Sequence, residues 1–169
     1  YLGYIAYDSD DYAKAESYFR EVQDDATLSK NVSYFQANMY FKQALYDEAI
    51  EEGKKQLAKT KSAQEVSELN KIIGESYFNQ KKYKEAIPYL QNYKGKKGKF
   101  SNTDYYYLGY AFYKNNDYKA AIEQFNKIVG GNDNVAQNAY YHLAECYLKT
   151  DQKQQALNAF RNASQMDFD

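Results

Sequence analysis

The residues best suited to chemistry in this sequence are its single histidine, His142, and its single cysteine, Cys146. They lie four residues apart, so a helix would place them on one face, where an imidazole could activate a thiol as a nucleophile. No third group orients such a pair, and one histidine cannot supply a metal with two imidazoles. The adjacent acids Glu51 and Glu52 lack partners for acid and base chemistry. The sequence therefore predicts no catalytic residue, no metal ligand and no cofactor.

The composition is that of an ordinary globular chain and shows no bulk attraction to polyanions. The 169 residues are 44% hydrophobic and 27% charged, and 22 basic and 23 acidic residues give a net charge of -1. A near-neutral chain has no strong field to attract nucleic acid or anionic lipid. No stretch approaches the roughly 18 consecutive apolar residues of a membrane helix. We therefore expect neither a nucleic-acid partner nor membrane insertion.

The elements that position His142 and Cys146 recur along the chain. Five times an alanine follows a small residue by twelve positions, and successive copies are 34, 37, 35 and 35 residues apart. This period predicts a stack of helical hairpins, in which small residues lie where two helices approach closely. The five pairs are Gly3 with Ala15, Ala37 with Ala49, Gly74 with Ala86, Gly109 with Ala121 and Ala144 with Ala156.

The pattern resembles the tetratricopeptide repeat family, whose signature is a large apolar, a small and an aromatic residue, then Tyr, Ala and Phe in the second helix. The resemblance covers nearly the whole chain and implies an all-α fold, a right-handed α-α superhelix of about five hairpins. We expect one domain over 1–169, a fragment of a longer chain, with repeats at about 1–29, 30–66, 67–101, 102–136 and 137–169. The best copies are Leu108, Gly109, Phe112, Tyr118, Ala121, Phe125 and Ile128, and Leu143, Ala144, Tyr147, Ala156, Phe160 and Ala163.

Three features depart from a regular repeat. Gly53 and Gln56 stand where the family has a bulky and a small apolar residue, and a glycine inside a helix costs about 1 kcal/mol relative to alanine. That hairpin is predicted to be the softest, or to pack something unusual into the space. Pro88 is interpreted as a tolerated kink, and the basic segment 94–99 as a solvated turn.

The resemblance further implies that a second stripe on the first helix of each hairpin lines a concave groove. Tyrosine and asparagine on this stripe would suit an extended peptide, because rings give contact area at low entropic cost and amides bond an unpaired backbone. The protein is therefore predicted to be a non-catalytic scaffold for a peptide or protein segment; a glycan-binding module and a purely structural linker are the alternatives. The predicted partner-binding residues are Tyr4, Tyr7, Tyr34, Asn38, Phe41, Lys42, Lys71, Glu75, Phe78, Tyr106, Tyr110, Tyr113, Lys114, Asn138, Tyr141 and Glu145.

One position of this stripe keeps a second interpretation. The residue four after the small residue is often aromatic in the family, and it would then pack between hairpins instead of binding a partner. The residues concerned are Tyr7, Phe41, Phe78, Tyr113 and Leu148.

The resemblance also bears on partner and location. Family members that grip the acidic tails of heat-shock chaperones carry a Lys and Asn clamp, but Tyr34 and Ile72 stand at two of its positions. Chaperone tails are therefore not expected as partners. The aromatic load and spacing are similar to those of bacterial envelope members, such as outer-membrane assembly lipoproteins and Tol-Pal coordinators. This favours the periplasm or cell envelope, with the cytoplasm as the alternative.

Overall fold

The computed structural model describes residues 2–22, 32–128, 131 and 133–166. The predicted boundary between repeats at 29 and 30 lies outside them. The described residues form an all-α fold, as predicted, and contain ten helices. These are α1 (Leu2–Asp8), α2 (Tyr12–Glu21), α3 (Val32–Lys42), α4 (Tyr46–Leu57), α5 (Ala63–Asn79), α6 (Tyr83–Asn92), α7 (Asn102–Lys114), α8 (Tyr118–Phe125), α9 (Asn134–Lys149) and α10 (Lys153–Ser164).

The turns inside the hairpins repeat with the period of the sequence. Each contains one residue other than glycine with φ between 57° and 61°, and these residues are 34, 37, 35 and 35 positions apart. After four of them the next backbone N–H donates to a carbonyl five residues earlier, which closes the end of the first helix. The same backbone turn therefore recurs along the chain. The left-handed residues are Asp10, Ala44, Lys81, Asn116 and Asp151.

The chain divides into two compact units, residues 1–80 and 81–169. The prediction of one continuous domain stays a prediction. In the first unit α1 packs on α2, α3 on α4, and α5 on both α3 and α4. Its core includes Ala15, Phe19 and Met39, each at most 2% exposed. A Cβ on Gly3 would lie 2.7 Å from the Phe19 ring, so an alanine there would force the ring to shift where α1 meets α2.

The irregular second repeat is explained by its packing. A Cβ on Gly53 would lie 2.8 Å from Cγ1 of Ile73, so the missing side chain lets α4 approach α5 closely. One turn later Gln56 is buried, and its Nε2 donates to Oε1 of Glu65 at 2.9 Å. Both departures from the family pattern therefore serve the contact between α4 and α5. Of the two predicted outcomes, the structure favours unusual packing.

In the second unit α6 packs on α7, α7 on α8, α8 and α7 on α9, and α9 on α10. Gly109 repeats the arrangement of the first hairpin, because a Cβ there would lie 2.8 Å from the Phe125 ring. Pro88 lies inside α6, which continues to Asn92. The basic segment forms a tight turn with Gly95 and Gly98 at φ of 78° and 77°. Among the described residues, no helix is long and apolar enough to cross a bilayer.

Candidate partner-binding surface

The predicted partner-binding residues of the second unit gather around His142. Tyr106, Tyr110 and Tyr113 are four and three residues apart on α7, so one face of that helix presents all three rings. On α9, His142 lies against these three rings, and Tyr141 contacts the His142 ring and, at 5.8 Å, the ring of Phe160 on α10. The imidazole centroid is 5.0 Å from the rings of Tyr110 and Tyr113, 5.5 Å from Tyr141 and 6.2 Å from Tyr106. We call these five residues the aromatic face.

Helix caps fix the start of both helices that carry the aromatic face. Ser101 and Asp104 form a capping box at α7, in which the serine hydroxyl accepts from the Asp104 amide and the carboxylate accepts from the Ser101 amide at 2.8 Å. At α9, the carboxylate of Asp133 accepts from the amide of Ala136 at 2.8 Å. The small residues Gly109 and Ala144 then set how closely α7 and α9 approach their hairpin partners. The backbone around the rings is thus held by local interactions.

The carboxylate of Glu145 acts on two residues of the aromatic face. Its Oε2 lies 2.9 Å from Nδ1 of His142. Burial, together with the interaction of the hydroxyl with Glu145, raises the pKa of Tyr113 to about 12. Burial likewise raises the pKa of Tyr106 to about 12. Both phenols therefore stay neutral near pH 7.

The edge of the aromatic face is open to solvent and polar. Tyr141 is 48% exposed, the exposed Asn138 lines the same pocket as Tyr141, and Lys114 is exposed at the end of α7. The ammonium of Lys114 lies 5.8 Å from the centroid of the Tyr110 ring. Tyr106, Tyr110 and Tyr113 are half-buried. The surface therefore offers ring faces, a cation and an amide to a partner.

The structure argues against nucleophilic chemistry by Cys146. Its side chain is fully buried, and this burial raises the thiol pKa to about 12. Glu145 lies 2.9 Å from Nδ1 of His142 and so supplies an orienting group that the sequence did not indicate. This leaves the burial of the thiol as the feature that opposes a nucleophilic role. Cys146 is thus a packed thiol. In the part of the chain that the structure describes, no group of three His, Cys, Asp or Glu residues could hold a metal ion.

In the first unit, Tyr7 of α1 lies in the core and the half-buried Tyr4 packs against it. The Tyr4 ring is 4.7 Å from the ring of Phe35 on α3, and the Tyr7 ring is 5.3 Å from it. Tyr7 is 7% exposed, and its hydroxyl accepts a hydrogen bond from Nδ2 of Asn38 at 2.6 Å. The ammonium of Lys42 lies 4.5 Å from the Tyr7 ring centroid. For Tyr7 the packing interpretation therefore describes what the structure shows.

The predicted residues farther along the first unit are divided between packing and ion pairing. Phe41 is half-buried, 6.0 Å from the ring of Tyr46 on α4. Lys71 and Glu75 face each other on α5, with Nζ 3.7 Å from Oε1. Phe78 is half-buried one turn later. Their role in binding stays a prediction.

Tyr34 borders a pocket of about 280 Å³ that the sequence did not indicate. Phe35 also lines the pocket. The other walls come from the start of α5 and from Ser62, which caps that helix. The available signal was the 37-residue interval, because the extra residues between α4 and α5 supply part of the wall. The lining residues are Tyr34, Phe35, Ser62, Gln64, Glu65 and Glu68.

Comparison with known proteins gives matches at the level of family models and of fold. Two models described as tetratricopeptide repeat match residues 2–63 and 72–96, and one described as anaphase-promoting complex, cyclosome, subunit 3 matches residues 96–163. A crystal structure of MamA is 20% identical, with a TM-score of 0.76, and the alignment covers 99% of this chain and 95% of MamA. YrrB, described as a TPR protein with an unusual peptide-binding site, is 17% identical, with a TM-score of 0.77 over 98% of this chain and 82% of YrrB. A search of curated proteins finds no match.

The helical hairpins, the recurring turns and these neighbours define a helical-repeat protein with the solenoid fold. The family matches and the fold together support the resemblance of the chain to the tetratricopeptide repeat family. None of the matched family descriptions is that of an enzyme. The similarity to bacterial envelope members stays a prediction.

Proposed function

We propose that this chain is a non-catalytic scaffold that binds an extended peptide or protein segment, and that the aromatic face is a principal contact surface. The observation that carries this proposal is the cluster of half-exposed tyrosines on α7 packed around His142. Tyrosine rings held by their neighbours lose little entropy when a partner covers them, and they are frequent binding hot spots. The exposed Asn138, which lines the same pocket as Tyr141, can hydrogen-bond the unpaired backbone of an extended segment.

The comparisons support the proposal at the level of fold. YrrB has the same fold and is described as having a peptide-binding site. Helical-repeat proteins present extended surfaces that commonly serve binding. A groove lined by the predicted stripe, and a periplasmic or cell-envelope location, belong to the same proposal and rest on the sequence resemblance.

The test compares variants of the aromatic face in one binding assay. Peptides selected from a random library against the whole chain are labelled, and their dissociation constants are measured by fluorescence anisotropy. Tyr106→Ala with Tyr110→Ala is expected to weaken binding about thirtyfold, the loss typical of a hot spot worth about 2 kcal/mol. Tyr141→Ala removes the most exposed ring of the face and should weaken binding with the least effect on packing. Tyr140→Ala, on the same helix but outside the aromatic face, is the matched control and should bind as the unaltered chain does.

Circular dichroism of the same variants distinguishes binding from packing. If the Tyr106 and Tyr110 double variant loses much of its helicity, these rings are core residues. If Tyr141→Ala then also binds every peptide as tightly as Tyr140→Ala does, the aromatic face is not the contact surface. Binding of polysaccharides on a glycan array, lost in the same variants, would favour the glycan alternative instead.

A further inference from the structure

The pocket beside Tyr34 combines aromatic rings with carboxylates. The rings of Tyr34 and Phe35 meet edge to face with centroids 5.2 Å apart. Glu65 and Glu68, one turn apart on α5, line the same space. At about 280 Å³, the pocket is near the lower limit of ligand sites, so it suits one side chain better than a larger molecule.

The two carboxylates are in different states. Glu65 is already engaged: Oε1 accepts from Nε2 of Gln56 at 2.9 Å, and Oε2 accepts from the Thr60 hydroxyl. Both donors are neutral, so they orient the carboxylate without cancelling its charge. Glu68 is half-buried and has no hydrogen bond or ion pair among the described residues. A ligand with positive charge and N–H donors would therefore meet one fixed carboxylate and one available carboxylate.

The surroundings of the pocket reinforce its negative character. Burial, together with the charges of Glu68 and Glu65, raises the pKa of Tyr34 to about 12. Lys71 acts in the opposite direction on Tyr34, but its ammonium is 3.7 Å from the carboxylate of Glu75. The unit as a whole is acidic, because residues 1–80 contain 14 Asp and Glu against 9 Lys and Arg. The near-zero charge of the complete chain conceals this, since residues 81–169 have 9 acidic and 13 basic residues.

We propose that this pocket accepts the cationic side chain of an arginine or lysine from a peptide partner, with arginine preferred. A guanidinium can stack on the Tyr34 ring while it donates two parallel hydrogen bonds to a carboxylate such as Glu68. A lysine ammonium would satisfy the charge but lacks the planar fork and the stacking surface. The inference rests on the proposed function, since it names the side chain that a bound peptide would present to the first unit.

The experiment uses the whole chain labelled with ¹⁵N and a small probe, N-acetyl-arginine amide, titrated in low salt. Saturable shifts are expected for the backbone amides of Tyr34, Phe35, Glu65 and Glu68. N-acetyl-citrulline amide has nearly the same shape but no charge, and it should bind about tenfold more weakly or not at all. Shifts in the pocket should shrink in high salt, because an exposed charge pair is screened.

Two charge variants test the role of the carboxylate. Glu68→Gln preserves the size of the side chain and should weaken arginine binding about tenfold. Glu48→Gln removes the same charge from an exposed site on α4 in the same unit and should change binding less than twofold. An unchanged spectrum outside the pocket establishes that the Gln variants remain folded.

The outcomes separate this inference from the proposed function. If the arginine probe does not shift the pocket amides, if citrulline binds as well, or if Glu48→Gln weakens binding as much as Glu68→Gln, the pocket does not select a cation. Peptides that still bind and still require Tyr106 and Tyr110 would then uphold the proposed function alone. Arginine binding in the pocket, with no peptide binding at the aromatic face, would overturn the proposed function and leave the cation site in place.

Discussion

Replacing Gly53 with alanine tests whether the second repeat is closely packed or soft. On helix propensity alone, Gly53→Ala should stabilise the chain by about 1 kcal/mol, because glycine is a poor residue inside a helix. The structure predicts the opposite sign. The new Cβ would lie 2.8 Å from Cγ1 and 3.2 Å from Cδ1 of Ile73, a fully buried side chain. Since Cγ1 is joined directly to the branched Cβ of Ile73, it cannot move away as the end of a long side chain could.

The expected size follows from two opposing contributions. Overpacking a filled core by one methyl group costs about 1–3 kcal/mol, and the gain in helix propensity offsets about 1 kcal/mol of this. Gly53→Ala should therefore lower the free energy of unfolding by about 1 kcal/mol. Ile73→Ala removes the clashing atoms and by itself costs about 2–5 kcal/mol. In the Ile73→Ala background the Gly53 substitution should become stabilising, which corresponds to a coupling of about 2 kcal/mol between the two sites.

The unaltered chain, Gly53→Ala, Ile73→Ala and the double variant form a double-mutant cycle. Their free energies of unfolding are measured by urea unfolding followed by circular dichroism. The matched control is Glu51 on the same helix, whose side chain is 78% exposed. Glu51→Ala and Glu51→Gly differ only in backbone preference, and alanine should be more stable there by about 1 kcal/mol. Gly53→Ala could instead raise the free energy of unfolding by as much as the difference between alanine and glycine at position 51. Its effect could also be the same whether residue 73 is isoleucine or alanine. Either result would refute the close approach of α4 to α5.

Two further predictions concern titratable groups. Cys146 is fully buried and its thiol pKa is raised to about 12. Iodoacetamide at pH 8 should therefore alkylate it at least about a hundredfold more slowly in the folded chain than in the chain unfolded by guanidinium. Mass spectrometry follows the alkylation, and similar rates in the two states would contradict the burial of Cys146. Folding also raises the pKa of Tyr106 from 10.0 to about 12, so the folded chain retains a proton that the unfolded chain releases in this range. The stability from this group is complete below pH 10 and is lost as the pH rises towards 12. Tyr106→Phe should therefore flatten the alkaline fall in urea midpoint, and an unchanged slope would assign the fall to other groups.

The helical hairpins could be predicted from the sequence because their determinants are local and repeated. The small residue and the alanine twelve positions later mark where two helices meet, and the interval between copies is also the interval between left-handed turn residues such as Asp10 and Ala44. Gly53 could not be interpreted in this way. Its role depends on Ile73, twenty residues away on another helix, and a sequence pattern shows the cost of a glycine but not the partner that requires it.

The candidate site was predictable in part for the same reason. Tyr106 and Tyr110 share a helix face by spacing, so their proximity follows from helix geometry. The central place of His142 depends on how α9 packs against α7, which spacing within one helix does not determine. The pocket beside Tyr34 required the segment between α4 and α5 to fold back towards α3. That segment is an insertion relative to the repeat, and a repeat pattern carries no information about residues that it does not contain.

The tyrosine four positions after the small residue shows how repeat register and binding can be separated. The Tyr7 hydroxyl accepts a hydrogen bond from Asn38, and the carboxylate of Glu145 acts on the Tyr113 hydroxyl and raises its pKa. Asn38 and Glu145 each lie one position after the small residue of a following copy, so both pairs join equivalent sites on two first helices. Because these side chains already interact with each other and Tyr7 is buried, we expect both positions to hold first helices together. Binding that depends on hydrogen bonds should therefore come from side chains outside these pairs, such as Asn138 beside the aromatic face and Glu68 in the pocket.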